Sequence, residues 1–150
     1  DKEIIFLFVG EGGSKKRLQQ IVQKKGLSNV DFMSYVDNRD YNYLLASADC
    51  HIVCLKLGME QFGFPGKFYS SLAAGRPVIA ISDKNGELAK LIRDNNVGLV
   101  VTTGSELALA IRNLKIDCQL ADRLGQNSRN LLCDRFARHT ITRQYVNLLR

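Results

Sequence analysis

GFPGKFYSSLAAGRPVIAIS, residues 63–82, is the stretch whose reading decides the fold. A glycine-proline loop runs into a helix over 65–75, with Pro65 near its first turn, where the ring costs no hydrogen bond. Gly75-Arg76-Pro77 turns the chain, and PVIAIS (77–82) reads as a short apolar strand. Ser70, Ser71, Ala73 and Ala74 give the helix little bulk, so it can pack closely on a sheet. A small-residue helix feeding a short apolar strand is one unit of an alternating α/β chain.

The same alternation extends in both directions. EIIFLFV (3–9) is a near-continuous apolar run, as in strands covered on both faces of a parallel sheet. A helix over 14–26 follows, with Leu18, Ile21 and Val22 on one stripe and Gly26 as its stop. NVDFMSYV (29–36) is a strand, 38–49 a helix and CHIVCLKL (50–57) a strand. After residue 82 come a helix over 86–96 and the strand GLVVT (98–102). The remainder is a helical tail over 105–113, about 117–132, and 134–150. Strands joined by short loops through helices require right-handed crossovers. The expected fold is α/β: a Rossmann-like parallel sheet of about five strands, helices on both faces, and a helical C-terminal tail. It forms one domain over 1–150.

Composition bounds the function. The chain has 150 residues, 45% hydrophobic and 24% charged, ordinary for a globular protein. No apolar run approaches the roughly 18 residues of a membrane span, and no segment reads as a signal peptide. The chain opens at Asp1 directly into a strand, as an excised piece of a longer protein would. The net charge of +6 either favours anionic partners or serves solubility alone. The basic residues are dispersed without an aromatic stripe, which argues against nucleic acid. Cys50, Cys54, Cys118 and Cys133 form no C-x-x-C pair, and with only His51 and His139 beside them no zinc site is expected. Cys50 and Cys54 read as buried, reduced residues on one face of a strand.

Ligands of open parallel sheets bind outside the carboxyl ends of the strands. VGEGGSKK (9–16) partly matches a dinucleotide fingerprint. Gly10 and Gly12 fit, but Lys15 stands at the third glycine position, and no acid closes the next strand. This loop is either a phosphate contact or only a tight turn. FGFPGKFY (62–69) carries more. Gly63 and Gly66 let a ligand approach the backbone, and the helix start offers unpaired amides. Lys67 opposes the helix dipole unless an anion such as a diphosphate lies over the helix start; otherwise it points into water. Glu87 suits its own helix dipole, and could equally hold a ribose or sugar diol.

FLFVGEGGSKKRLQQIVQKKGLSNVDFMSYV, LLASADCHIVCL, PGKFYSSLAAGRPVIA and NGELAKLIRDNNVGLVV together resemble the carboxyl-terminal domain of family-4 glycosyltransferases. These enzymes have the two-domain GT-B architecture, and the likeness, to a subgroup in bacterial surface-polysaccharide synthesis, covers nearly the whole chain. The resemblance implies half of a GT-B fold that binds a nucleotide-diphosphate sugar, most often UDP-linked, and transfers it with retention. It implies that the backbone at Tyr35 and Val36 meets the base. Gly63, Phe64, Pro65 and Gly66, with Lys67, would hold the diphosphate and sugar, and Glu87 would lie near the ribose or diphosphate. No cofactor and no divalent metal are expected, because basic side chains and helix amides offset the leaving-group charge.

Two departures from the pattern matter. The family's Glu pair falls on Phe62 and Ser70. Glu60 could substitute for the first and is the candidate catalytic residue; Ser70 could make a weaker ribose contact. The family domain also opens with one more strand-helix unit, bearing an Arg and a Lys, and follows an acceptor-binding domain. Neither is recognisable in this chain, which alone is expected to be inactive. The acceptor implied is a glycan or lipid-linked molecule. The location is cytoplasmic, with peripheral association at the anionic inner face of a membrane. Two other readings are a non-catalytic Rossmann-like binding or regulatory module that has lost sugar-nucleotide handling, and an NAD(P)-dependent oxidoreductase.

Overall fold

The computed structural model describes residues 3–56, 58–59 and 63–149. Five four-residue strands alternate with helices in chain order. They are β1 (Phe6–Val9), α1 (Lys15–Lys24), β2 (Val30–Met33), α2 (Asn38–Ser47), β3 (His51–Cys54), α3 (Gly66–Ala74), β4 (Val78–Ile81), α4 (Glu87–Asp94) and β5 (Gly98–Val101). The tail comprises α5 (Gly104–Ile116), α6 (Cys118–Leu131), a π turn (Leu132–Phe136) and α7 (Arg138–Leu148). All strand pairs are parallel, β1 with β2 and, separately, β3-β4-β5. The chain divides into two compact units, Asp1–Asn42 and Tyr43–Arg150.

In the first unit Phe6 pairs with Val30 and Val9 with Met33. Phe8 stacks on Phe32 directly opposite, ring centroids 5.3 Å apart. The amides of Phe6 and Gly10 donate to Asn29 and Met33. Even-numbered positions of β1 therefore face β2, and Leu7 and Val9 turn their main-chain groups to the other edge. Leu7, Phe8 and Val9 are 45%, 47% and 37% exposed, and no described residue of this unit is buried. The expectation of a strand covered on both faces is corrected here. Such cover comes from helices packed on both faces, and among the described residues the contacts of β1 are chiefly with its neighbour β2.

The second unit holds the core. β4 is central, and Val78, Ile79 and Ala80 are fully buried. Val53, Phe68, Leu72, Leu88, Ile92 and Val97 close around it. α3 buries Phe68, Ser71 and Leu72 on its underside. It ends on Gly75 in the left-handed region (φ 66°), whose amide returns to the Leu72 carbonyl. The small residues of α3 serve a close approach to α6 as well as to the sheet, because Gly125 of α6 lies against the Gly75 carbonyl.

Arg76 has a structural role. Its Nη2 and Nε donate to the Ala46 carbonyl at 2.6 and 3.2 Å, placing a cation on the unpaired end of α2, where the dipole favours it. His51 Nε2 donates to the neighbouring Leu45 carbonyl at 3.0 Å. Burial lowers the His51 pKa below its ordinary 6.5; the Leu45 bond opposes this and Arg76 adds to it. A histidine that resists protonation in the fold contributes stability that is full above its unfolded pKa. That stability declines as pH falls from about 6.5 toward the lower folded value. Urea midpoints taken from pH 7.5 down to 5 should therefore drop, and His51→Gln should flatten that slope. Parallel slopes in the two proteins would refute the assignment.

Two further corrections concern the tail and the cysteines. The helix expected over 134–150 is interrupted: the π turn ends at Phe136, Ala137 is extended (ψ 143°), and α7 begins afresh. All four cysteines are free, but only Cys50 is even partly covered; Cys54, Cys118 and Cys133 are exposed. Cys54 ends a strand paired on one side only. Among the described residues no helix is long and apolar enough to cross a membrane.

Candidate functional site

In the second unit α3, α4 and α5 each begin after the carboxyl end of a strand, β3, β4 and β5. Their starts differ. At α5 the chain fills its own site. Thr103 accepts from the Glu106 amide at 3.1 Å, and Glu106 accepts from the Thr102 amide at 2.7 Å. Lys84 completes the cluster at 2.6 Å from Glu106. That bond, ahead of the Thr102 amide, holds the Glu106 carboxyl down at about 2. The T-x-x-E spacing of residues 103–106 is a capping signature that could have been read from the sequence.

α3 begins differently. Pro65 is its N-cap, extended at ψ 136°, and no side chain caps the helix. The first turn holds no acid. Open space surrounds the positions where a Cβ on Gly63 or Gly66 would point, and Gly63 is left-handed at φ 94°. Lys67 is exposed and joins none of the ion pairs among the described residues. The loop is anchored from below, since Phe64 and Pro65 are half-buried and Phe64 meets Phe68 edge-on at 6.0 Å. Free amides and a helix dipole thus meet at an open, anchored turn that carries an exposed lysine, the physical recipe for an anion seat.

Ser70 and Ser71 are now distinguished. Ser71 is buried and donates to the Lys67 carbonyl at 2.8 Å. Ser70 is half-buried, and its hydroxyl lies 3.4 Å from the Gly66 carbonyl, leaving lone pairs for a ligand donor. At α4, Gly86 is an extended N-cap without a side-chain bond, and Glu87 is exposed in the first turn. Glu60 and Phe62 lie outside the described residues.

In the first unit the glycine loop is internally tied. Gly10 is at φ 124°, and a Cβ there would lie 3.3 Å from the Tyr35 ring. Tyr35 donates from its hydroxyl to the Glu11 carbonyl at 3.3 Å. Lys15 donates to Glu11 Oε1 at 2.7 Å and to the Met33 carbonyl at 3.1 Å. These bonds lower the Glu11 pKa, Lys15 first and then Ser34. Lys15 thus cross-links the ends of β1 and β2. Gly12 faces open space, Tyr35 is 74% exposed and Val36 is half-buried.

The family of glycosyl transferases group 1 matches residues 1–131. LpsD of Rhizobium meliloti (strain 1021), a lipopolysaccharide core biosynthesis glycosyltransferase, is 30% identical over 143 residues, 93% of this chain and 39% of its own length. WcaI of Escherichia coli (strain K12), named for colanic acid biosynthesis, is 34% identical over 91 residues, 61% of this chain and 22% of its own. Among solved structures, Anabaena HepE in complex with UDP-glucose superposes with a TM-score of 0.81 at 24% identity, covering 99% of this chain and 41% of HepE. The chain therefore spans at most about two fifths of these relatives.

Proposed function

Since this chain belongs to the glycosyl transferases group 1 family, we propose that it is the donor-binding part of an enzyme that moves a hexose from a nucleotide-diphosphate sugar, UDP-linked, onto a glycan or lipid-linked acceptor with retention. The observation that carries this reading is the uncapped start of α3, with Gly63 and Gly66 open and Lys67 exposed beside it. A diphosphate lying there would receive the Gly66 and Lys67 amides and the Lys67 ammonium, which together stabilise the leaving group without a metal. The base would lie against the backbone of Tyr35 and Val36, above the turn that Gly10 and Gly12 form. Ser70 and Glu87 would take ribose or sugar hydroxyls, and Glu60 is the candidate for the reacting centre.

The remainder of the active enzyme would lie outside this chain. The edge of β1 that no described strand pairs with, where Leu7 and Val9 point their main-chain groups away from β2, supports one further strand-helix unit preceding it. An acceptor-binding domain would complete the GT-B pair. This chain alone would then give no transfer. The enzyme would work in the cytoplasm, at the inner face of an anionic membrane, to which the +6 net charge would draw it.

Calorimetric titration of this chain with UDP, UDP-glucose and NAD⁺ tests the reading. Saturable binding of the UDP ligands at micromolar to millimolar strength is expected, with none for NAD⁺. Lys67→Ala should weaken UDP binding by about 10-fold or more, the worth of one charge-assisted hydrogen bond. Absence of UDP binding up to several millimolar would favour a module that no longer handles sugar nucleotides.

A further inference from the structure

Of the asparagines in the chain, only Asn85 is followed by glycine. The pairing matters because a glycine nitrogen, with no side chain beside it, is the least hindered main-chain nucleophile toward the carboxamide of the preceding residue. The structure leaves Asn85 open to such attack. It is exposed, in the turn between β4 and α4. Its main-chain amide donates to Asp83 Oδ1 at 2.9 Å, but no hydrogen bond among the described residues holds its carboxamide. The carboxamides of Asn29, Asn95 and Asn127, by contrast, donate to main-chain carbonyls at 2.8–2.9 Å. Gly86 precedes the hydrogen-bond ladder of α4, and its amide donates to the Asp83 carbonyl at 3.2 Å, the long end of the range for such bonds. The backbone does not require a glycine there, since φ −71° and ψ 160° suit other residues equally.

We propose that Asn85-Gly86 is a self-modifying site, which deamidates and thereby weakens the donor seat. The Gly86 nitrogen loses its proton to solvent and attacks Cγ of Asn85. The N–Cγ bond forms, the Cγ–Nδ2 bond breaks, and Nδ2 leaves as ammonia. Water then opens the cyclic imide at either carbonyl, giving aspartate or isoaspartate. The sum is carboxamide plus water to carboxylate plus ammonium, with no oxidant and no cofactor. Two changes follow at the start of α4. A new negative charge stands in sequence between Asp83 and Glu87, and Lys84 is already committed to Glu106 at 2.6 Å. Isoaspartate also adds a methylene to the main chain, within a turn that Arg93 ties to α4 by donating to the Lys84 carbonyl at 2.7 Å. That lengthening displaces Glu87. Both changes oppose an anionic ligand, and this second step rests on the donor-site reading given above.

The test ages the full-length parent protein in mildly alkaline buffer, which speeds loss of the amide proton. Its peptides are mapped by mass spectrometry, with an isoaspartyl methyltransferase as a second probe. Residue 85 should convert before any other asparagine and become methylated. Conversion elsewhere first, or none at 85, overturns the site. Gly86→Ala should keep the fold and suppress the conversion; an equal rate in that variant overturns attack by the glycine nitrogen. The aged protein and the Asn85→Asp variant should bind UDP about 2- to 5-fold more weakly, the scale of one exposed charge pair. Unchanged affinity overturns the effect on the donor seat. A fresh protein that binds no UDP would defeat the donor-site reading and leave the peptide map to decide the modification by itself.

Discussion

Replacing Gly98 with alanine is expected to remove a large share of the stability of the second unit. Gly98 opens β5 directly opposite Val78 of the central strand. A Cβ there would overlap the Val78 carbonyl oxygen, lying 2.7 Å from its carbon and 3.0 Å from the Val78 Cα. All three atoms are main chain, so no side chain can rotate away. β4 cannot yield either, because it is hydrogen-bonded to β3 and β5 and its residues 78–80 are fully buried. Relief requires β5 to leave the sheet, uncovering Val97 and Val101. A loss of about 4 kcal/mol or more follows, a large share of the ~5–15 kcal/mol that holds a domain of this size together. Far-UV circular dichroism through a urea titration would show the loss. Gly104→Ala, which meets nothing within 4 Å, is the control and should leave the midpoint in place. An unchanged midpoint for Gly98→Ala would falsify the account.

Gly125→Ala is the second large effect, and here two terms of opposite sign compete. Gly125 lies inside α6, where alanine favours the helix by about 1 kcal/mol. Against this, the new Cβ would overlap the Gly75 carbonyl oxygen and sit 3.3 Å from its carbon and 3.5 Å from the Arg76 Cα. Gly75 is held in the left-handed turn that closes α3, so the turn cannot retreat and α6 must. That movement strains the Ser128 hydroxyl bond to the Val97 carbonyl and the Arg129 bond to the Ala73 carbonyl. The clash should win, with a net loss of roughly 2–3 kcal/mol and a Tm lower by roughly 10 °C. A Tm raised by the substitution would mean that helix propensity prevails and that α6 can shift freely.

Neither glycine stands out in the sequence, because close approach between main chains is a property of pairing and leaves no local mark. Elements did leave one. Apolar runs bracketed by glycine gave the strands, and VIAI after the Gly75-Arg76-Pro77 turn gave the buried one. Gly75 announced the end of α3 because a helix that stops short needs a left-handed residue. The apolar run of 3–9 also announced a strand, but not how many neighbours it has in this chain, and so not its exposure. The break at Ala137 was hidden in a segment without glycine or proline. At the site, the start of α3 was legible because glycines, a proline and the lack of an acid are local facts. The commitment of Lys15 to Glu11 and Met33 was not, since Met33 is 18 residues away. Nor was the grip of Arg76 on α2, which spans 30 residues.

α3 separates two kinds of selective constraint. Its underside residues Phe68, Ser71 and Leu72 are locked into the core, whereas positions 63–67 present an anchored but open turn. Drift at the first set is purged through misfolding whatever the substrate. At Gly63 and Lys67 substitution alters only what the turn can receive, so a lineage can acquire new chemistry there while its fold stays intact.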